Sequence, residues 1–403
     1  MQTTLPRSEF GNHGAIMPES LINNPMQSKS RVGHYALKRL KPMLEGAEIQ
    51  INGPNPWDPQ VINPDFFKQV LLHGSLGLGD SYVDGWWECE QIDELVNRIL
   101  RLPSSRSKRF TSHLLSRLRA ALFNLQKESR AAQVGEQHYD VGNELYQGML
   151  DQRMVYTCGY WAHSDNLDDA QRDKLDLVCR KIFLKPGMRV LDIGCGWGSF
   201  AKFAAENYGA KVVGVTISKQ QVKLGMEMCR GLPVDLRFQD YRKIDERFDA
   251  VVSLGMFEHV GHKNFRTYMN VAHNCLNEEG LFLLHTIGKN NSLPGVDPWV
   301  GKYIFPNGEL PSLKLITEAV ESYFLIEDVH NFGPDYDRTL MSWFHNFKQY
   351  FAARENSRAD QRFYRMWSYY LQVCAGAFRA RDLQLWQIVL SKGMPYEAYR
   401  RPE

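Results

Sequence analysis

The chain has 403 residues, 43% of them apolar and 23% charged, which fits a soluble globular protein of two or three domains and excludes a disordered or collagen-like chain. No apolar run approaches the ~20 residues of a membrane-spanning helix, and the first thirty residues carry Glu9, Glu19, Pro6, Pro18 and Pro25 instead of a secretory signal's apolar core. The formal net charge is only +2, but the window from Arg98 to Arg130 holds nine Lys or Arg and one acid, Glu128, so it carries +8 against −6 elsewhere.

Residues 1–30 are polar and aperiodic and read as a flexible tail. Residues 31–102 read as a small α-rich N-terminal domain. Within it we expect a basic helix over 34–44 ended near Pro42, a short strand from Glu48 to Ile51 and a helix from Pro64 to Leu72 with proline at its start. A segment rich in Gly and aromatics (74–87) and a short helix from Asp93 to Leu100 complete it. Residues 103–134 form the basic linker, where Leu114, Leu115, Leu118, Leu122 and Leu125 fall at helical spacing. Such a stretch is either a solvated helix packed on one side or a surface for anionic phospholipid headgroups. Nucleic acid is the weaker reading and is not expected, because no recognition module accompanies the charge.

From Lys185 onward strands and helices alternate: strands at 189–194, 211–218, 234–240, 248–257 and 280–288, helices at 198–209, 219–230 and 263–276. This predicts an α/β fold with a parallel sheet covered on both faces. Beyond residue 290 the pattern turns aromatic-rich, with a last strand expected at Leu385–Leu390. The seven cysteines are odd in number and widely spaced, with no C-x-x-C or Cys/His cluster. Reduced thiols in the cytoplasm are expected, and no metal.

The segment Val190-Leu191-Asp192-Ile193-Gly194-Cys195-Gly196-Trp197-Gly198 has the order strand, acid, G-x-G-x-G. Glycines after a first strand let a nucleotide-like ligand touch backbone amides at the next helix N-terminus. A dinucleotide loop has G-x-G-x-x-G and an acid about twenty residues on. Here the third glycine comes early and the next strand ends in Thr216-Ile217-Ser218 without an acid. Asp192 before the first glycine points instead to S-adenosylmethionine. On that reading Gly194, Gly196 and Gly198 lie along its methionine part, Thr216 to Gln221 (with Ser218) face the ribose, and Asp240, Tyr241 and Arg242 flank the adenine.

Polar residues cluster where strands end: Glu258 in GMFEHVG, His285 in LLHTIG and Tyr336 in FGPDYDRTL, with Cys158 in MVYTCGYW ahead of the fold core. A buried Glu is rare unless paired, which makes Glu258 the most informative. His285 alone also reads as a satisfied core histidine.

Over about residues 48–395 the chain resembles the bacterial cyclopropane-fatty-acyl-phospholipid synthases and, more distantly, the mycolic acid cyclopropane synthases. The resemblance rests on GSLGLGDSYVDGWWEC (74–89), HYDVGNELY (138–146), KPGMRVLDIGCGWG (185–198), SLGMFEHVG (253–261), DPWVGKYIFPNG (297–308), HNFGPDYDRTLM (330–341) and CAGAFRARDLQLWQ (374–387). It implies a Rossmann-like class I S-adenosylmethionine-dependent methyltransferase domain over 135–403. The implied reaction adds a methylene from S-adenosylmethionine across a cis double bond of a phospholipid acyl chain, through a carbocation. It further implies bicarbonate as the base, held by Cys158, Glu258, His285, Tyr336 and the amides after His285, including that of Ile287. Cofactor contacts carry over to Tyr156, Thr157 and the residues named above. Cys374 carries over as an active cysteine, although no base partner accompanies it and a structural role is the plainer reading. Tyr336, Trp161, Phe257 and the aromatics at 299–305 are candidates to face the cation. A methyl-branching or headgroup methyltransferase and an inactive lipid-binding relative are the competing readings. The expected setting is the cytoplasm, peripherally on the inner face of the membrane, as a homodimer that meets bilayers of cis-unsaturated phospholipid.

Overall fold

In a computed structural model of the protein, residues 31–103, 142–354, 358–393 and 398–402 are described. The expected tail (1–30) and nearly all of the basic linker (103–134) lie outside them.

The N-terminal unit comprises α1 (Arg31–Gly46), β1 (Gln60–Val61), α2 (Phe66–His73), α3 (Ser75–Val83), β2 (Trp87–Glu88) and α4 (Ile92–Arg101), with β1 and β2 paired antiparallel. Two expectations fail locally. Helix α1 runs through Pro42 instead of ending there. Glu48–Ile51 is a turn and not a strand, because Glu48 and Asn52 both adopt left-handed φ (53° and 54°). Asp58 fixes that turn, its carboxylate accepting from Gln50 N–H at 2.8 Å and Asn55 N–H at 3.0 Å.

Short helix α5 (Asn143–Met149) and α6 (Leu167–Lys181) lead into the sheet. Asn166 caps α6, its side chain accepting from Asp169 N–H. The sheet follows as β3 (Arg189–Ile193), α7 (Ser199–Tyr208), β4 (Lys211–Thr216), α8 (Lys219–Met228), β5 (Val234–Phe238), β6 (Phe248–Leu254), α9 (Phe265–Cys275) and β7 (Leu276–Lys289). The chain then forms α10 (Pro298–Tyr303), α11 (Leu313–Val320), β8 (Leu325–Asn331), α12 (Gly333–Ala352), α13 (Arg358–Arg379) and β9 (Leu383–Ser391). Strand order is β5-β4-β3-β6-β7-β9-β8. The five strands from β3 to β7 are parallel, and β9 is antiparallel to both β7 and β8. The switch point between β4, β3 and β6 opens at the carboxyl end of β3, where open α/β sheets bind ligands.

Sequence periodicity places every strand of the sheet but β8. That strand reads Leu-Ile-Glu-Asp-Val-His-Asn and sits at the sheet edge with little burial, so the alternation that marks a half-buried strand is missing. The two longest helices among the described residues, α12 and α13, pack on each other, and α13 packs on α3 and α4 of the N-terminal unit. One buried apolar cluster runs from Ala36 and Phe66 through Trp87 and Leu95 to Trp343, Trp367 and Phe378, so the N-terminal unit shares its core with α12 and α13. Gly376 on α13 allows the closest approach, because a Cβ there would lie 2.3 Å from the Asp93 carbonyl oxygen of α4. Arg379 adds ion pairs to Asp93 (2.7 Å), Glu94 (3.3 Å) and Asp337 (2.8 Å). Among the described residues no helix is long and apolar enough to cross a membrane.

Candidate active site

The glycine loop leaves β3 in left-handed conformations that favour glycine, φ being 82° at Gly194, 56° at Gly196 and 80° at Gly198. A Cβ at Gly194 would strike Met256 Cγ at 2.5 Å, whereas one at Gly196 would meet nothing within 4 Å. The loop therefore has an open side beside Gly196, at the N-terminus of α7. Asp192, at the end of β3, is buried, and its Oδ2 has no hydrogen-bond partner among the described residues. At the end of β4, Thr216 Oγ1 donates to Gln221 Oε1 at 2.7 Å, and Ser218 Oγ accepts from Gln221 N–H at 3.3 Å to cap α8. Asp240 accepts from Arg242 N–H (3.0 Å) and Nε–H (2.9 Å). The Tyr241 ring lies against Tyr268 at 5.0 Å between centroids. An orphaned carboxylate oxygen, a glycine-walled opening and buried polar groups on the two neighbouring strand ends fit S-adenosylmethionine.

Glu258 sits on a single 3-10 turn after β6 and is buried. Its Oε1 accepts from Ile287 N–H at 2.6 Å, while Oε2 has no hydrogen-bond partner among the described residues. Burial pushes its carboxyl up to about 7, against the backbone donor Ile287. His285, on β7, is also buried, and burial together with Lys174 and Lys181 pushes its pKa well down, so the ring is neutral. Gln387 Nε2 lies 3.3 Å from His285 Nδ1, and His285 Nε2 has no partner among the described residues. With Gln387 donating to Nδ1, the proton sits on Nε2 and that nitrogen is a donor. Tyr336, in the first turn of α12, is held protonated by burial first and then by Cys158, Tyr156, Glu258 and Cys374, whose fields all reach its phenol. Of the expected catalytic residues, Cys158, Glu258 and Cys374 thus lie within electrostatic reach of Tyr336, while His285 packs against Phe332 at 5.8 Å between ring centroids.

Cys158 is fully buried. Its thiol is 3.1 Å from the Gly159 carbonyl and 3.9 Å from Thr339 Oγ1. Thr339 also accepts from Gly159 N–H (3.1 Å) and Trp161 Nε1–H (2.9 Å), so α12 fixes the segment that carries Cys158. The adjoining Tyr156 hydroxyl lies 3.0 Å from that of Tyr370, and Thr157 is gripped by α6. Residues 156–158 are therefore tied to α6, α12 and α13.

An apolar cavity of about 520 Å³ is lined by Ile287 and Tyr336 and by Leu40, Met43, Phe67, Val70 and Leu78 of the N-terminal unit. That volume is within the range of small-molecule sites. Of the aromatics expected to face a cation, Tyr336 and Phe305 line it. Phe257 instead stacks on Phe265 at 4.2 Å, and Trp161 lies under Arg338. Tyr369, Tyr370 and Phe378 of α13 also line the cavity. Sequence reasoning missed them, although the run Trp367-Ser368-Tyr369-Tyr370 was the available signal. Cys374 lines the same wall, and burial pushes its thiol up to about 12, so it is protonated at neutral pH.

Residues 126–388 match the family described as mycolic acid cyclopropane synthetase. The chain is 53% identical over 355 residues to the cyclopropane-fatty-acyl-phospholipid synthase of Escherichia coli K12, covering 87% of this chain and 92% of that protein. It is 41% identical over 380 residues to a probable fatty acid methyltransferase of Pseudomonas putida, covering 89% and 92%. Among solved structures, the cyclopropane synthase MmaA2 of Mycobacterium tuberculosis aligns with a TM-score of 0.60 at 28% identity, over 65% of this chain and 98% of that one. The mycolic acid cyclopropane synthase CmaA1 complexed with SAH and CTAB aligns with a TM-score of 0.59 at 30% identity, with the same coverage. With the fold, the glycine loop and these relatives in agreement, the chain belongs to the mycolic acid cyclopropane synthetase family and is an S-adenosylmethionine-dependent methyltransferase.

Proposed function

We propose that the protein converts the cis double bond of an acyl chain in a membrane phospholipid into a cyclopropane, releasing S-adenosylhomocysteine. The observation that carries this reading is the apolar cavity lined by Tyr336 and Ile287, the latter bonded to Glu258. When bound, S-adenosylmethionine supplies a methyl electrophile to the alkene, and loss of a proton from that methyl closes the ring.

The residues divide the remaining work. Tyr336, Phe305, Tyr370 and Phe378 face the cavity, and their ring quadrupoles favour a transient cation without adding to it. The apolar walls exclude water, which would otherwise trap the cation as an alcohol. Glu258 Oε2 is an unpaired buried acceptor with a carboxyl poised near neutrality, which suits it to receive the proton. The unpaired Glu258 Oε2 and His285 Nε2 fit a small oxyanion such as bicarbonate, which would supply a compact base between chain and carboxylate. In that arrangement His285 and Tyr336 donate to its oxygens. The Ile287 amide serves Glu258 here and orients the acceptor. We assign Cys374 to the cavity wall, since burial, with Asp297 adding to it, holds its thiol protonated.

Incubation with S-adenosylmethionine and vesicles of cis-unsaturated phospholipid, followed by lipid mass spectrometry, tests this. The expected result is a gain of one CH2 with loss of one olefin per reacted chain. A methylated headgroup or an unchanged olefin count would refute it. Added bicarbonate is expected to raise the rate in carbonate-depleted buffer.

A further inference from the structure

Lys174 of α6 is fully buried, and the chemistry above does not use it. A buried ammonium is costly unless something opposes the desolvation. Its Nζ donates to Thr157 Oγ1 at 2.7 Å, and one turn earlier Gln171 Nε2 donates to the Thr157 carbonyl at 2.7 Å. Helix α6 thus holds Thr157 by side chain and backbone together. Thr157 in turn packs beneath Gly255, where a Cβ would lie 2.7 Å from its Cγ2. Gly255 N–H donates to the His285 carbonyl at 2.9 Å, and Met256 fills the space over Gly194. One threonine therefore touches the turn that leads to Glu258 and, through Met256, the glycine loop.

Burial draws the Lys174 ammonium down to about 8, against Asp151, Cys158 and Asp192, so at neutral pH it is protonated and a donor.

We propose that Lys174 is a positioning residue that fixes Thr157 between the cofactor loop and the Glu258 turn. The proposal rests on the reading of Gly194–Gly198 as the cofactor loop. Without Lys174 the Thr157 hydroxyl loses its donor, and the Gly255–Met256 segment loses a fixed neighbour.

Calorimetric titration of S-adenosylmethionine into the full chain tests it. Lys174→Met is expected to bind about tenfold more weakly, while Lys174→Gln, which keeps a donor for Thr157, stays within about threefold of wild type. In a Thr157→Val background Lys174→Met is expected to cost no further affinity, because the lysine acts through that hydroxyl. Unchanged affinity in folded Lys174→Met, or losses that add in full in the double variant, would overturn the proposal. If Lys174→Met does not fold, Thr157→Val alone decides: about tenfold weaker binding is expected, and unchanged affinity would overturn the proposal. Failure of wild type itself to bind would refute the cofactor-loop reading, an outcome distinct from failure of the lysine's role.

Discussion

The parallel half of the sheet and the helical half of the molecule build the site in opposite ways. In the first, the cofactor loop is local: strand β3, three glycines and the start of α7 follow each other within about one stretch of chain, and the chemistry is written in consecutive residues. In the second, the cavity wall is assembled from α1, α2 and α4 against α12 and α13, with contacts across 280 residues of chain, as Ile92 N–H to Gln372 Oε1 illustrates. The difference teaches that chemistry and substrate shape are separable here. Changes to the sheet end should abolish turnover, and changes to the helical wall should alter which chain is accepted or how tightly the halves hold.

Glu258→Gln is the sharpest cut on the sheet side. Loss of the proton acceptor is expected to lower kcat by roughly 100- to 10,000-fold, while S-adenosylmethionine affinity stays within about threefold because Glu258 lies outside the glycine loop. Steady-state rates with parallel calorimetry check this, and an equal fall in both would make Glu258 a binding residue.

On the helical side, Val373→Trp places bulk into the cavity wall from α13. The expected outcome is a tenfold or greater rise in KM for long acyl chains, read on vesicles of graded chain length, with cofactor affinity unchanged. A variant that lost cofactor binding instead would show that the halves are not separable.

Gly376→Ala probes the seam between the halves. The added Cβ lands 2.3 Å from the Asp93 backbone oxygen, so α4 and α13 must part, at a cost of about 1–3 kcal/mol. Chemical denaturation would register this as a lower midpoint. An unchanged midpoint would mean that the N-terminal unit is only loosely applied.

The pH dependence gives the smallest effect. Burial raises the Glu258 carboxyl from 4.5 to about 7, so between those values the folded protein binds a proton that the unfolded chain has released. Stability from this group is therefore present below pH 4.5 and falls as pH rises through 7. Glu258→Gln is expected to melt above wild type at pH 8, with the advantage gone at pH 5. In wild type kcat/KM should rise through about pH 7 as the carboxylate forms, a limb that the Gln variant should lack.

These contrasts also explain what was legible in the sequence. Strands β3 to β7 are central and announce themselves through apolar runs closed by Gly or by polar residues such as Glu258 and His285. Edge strand β8 carries Glu327, Asp328 and His330 because one side of it faces solvent, and its pattern is lost. Pro42 sits inside a helix whose neighbours bury enough apolar surface to hold it, which no local rule weighs. The glycine loop and the residues around Tyr336 could be named in advance, each from its position after an apolar run or from the resemblance. Tyr369, Tyr370 and Phe378 could not, because their role depends on which face of α13 meets α4 and α3. Lys174 gave no sign at all, since a lysine in an amphipathic helix reads as solvated until the fold buries it.

The central claim is that the site around Glu258 removes a proton from the transferred methyl. Reaction with methyl-trideuterated S-adenosylmethionine on cis-unsaturated phospholipid vesicles tests it most directly. The account predicts a product chain that keeps two of the three deuterium atoms in a new ring methylene and has lost its olefin. A product that retains all three on a methyl group would contradict it.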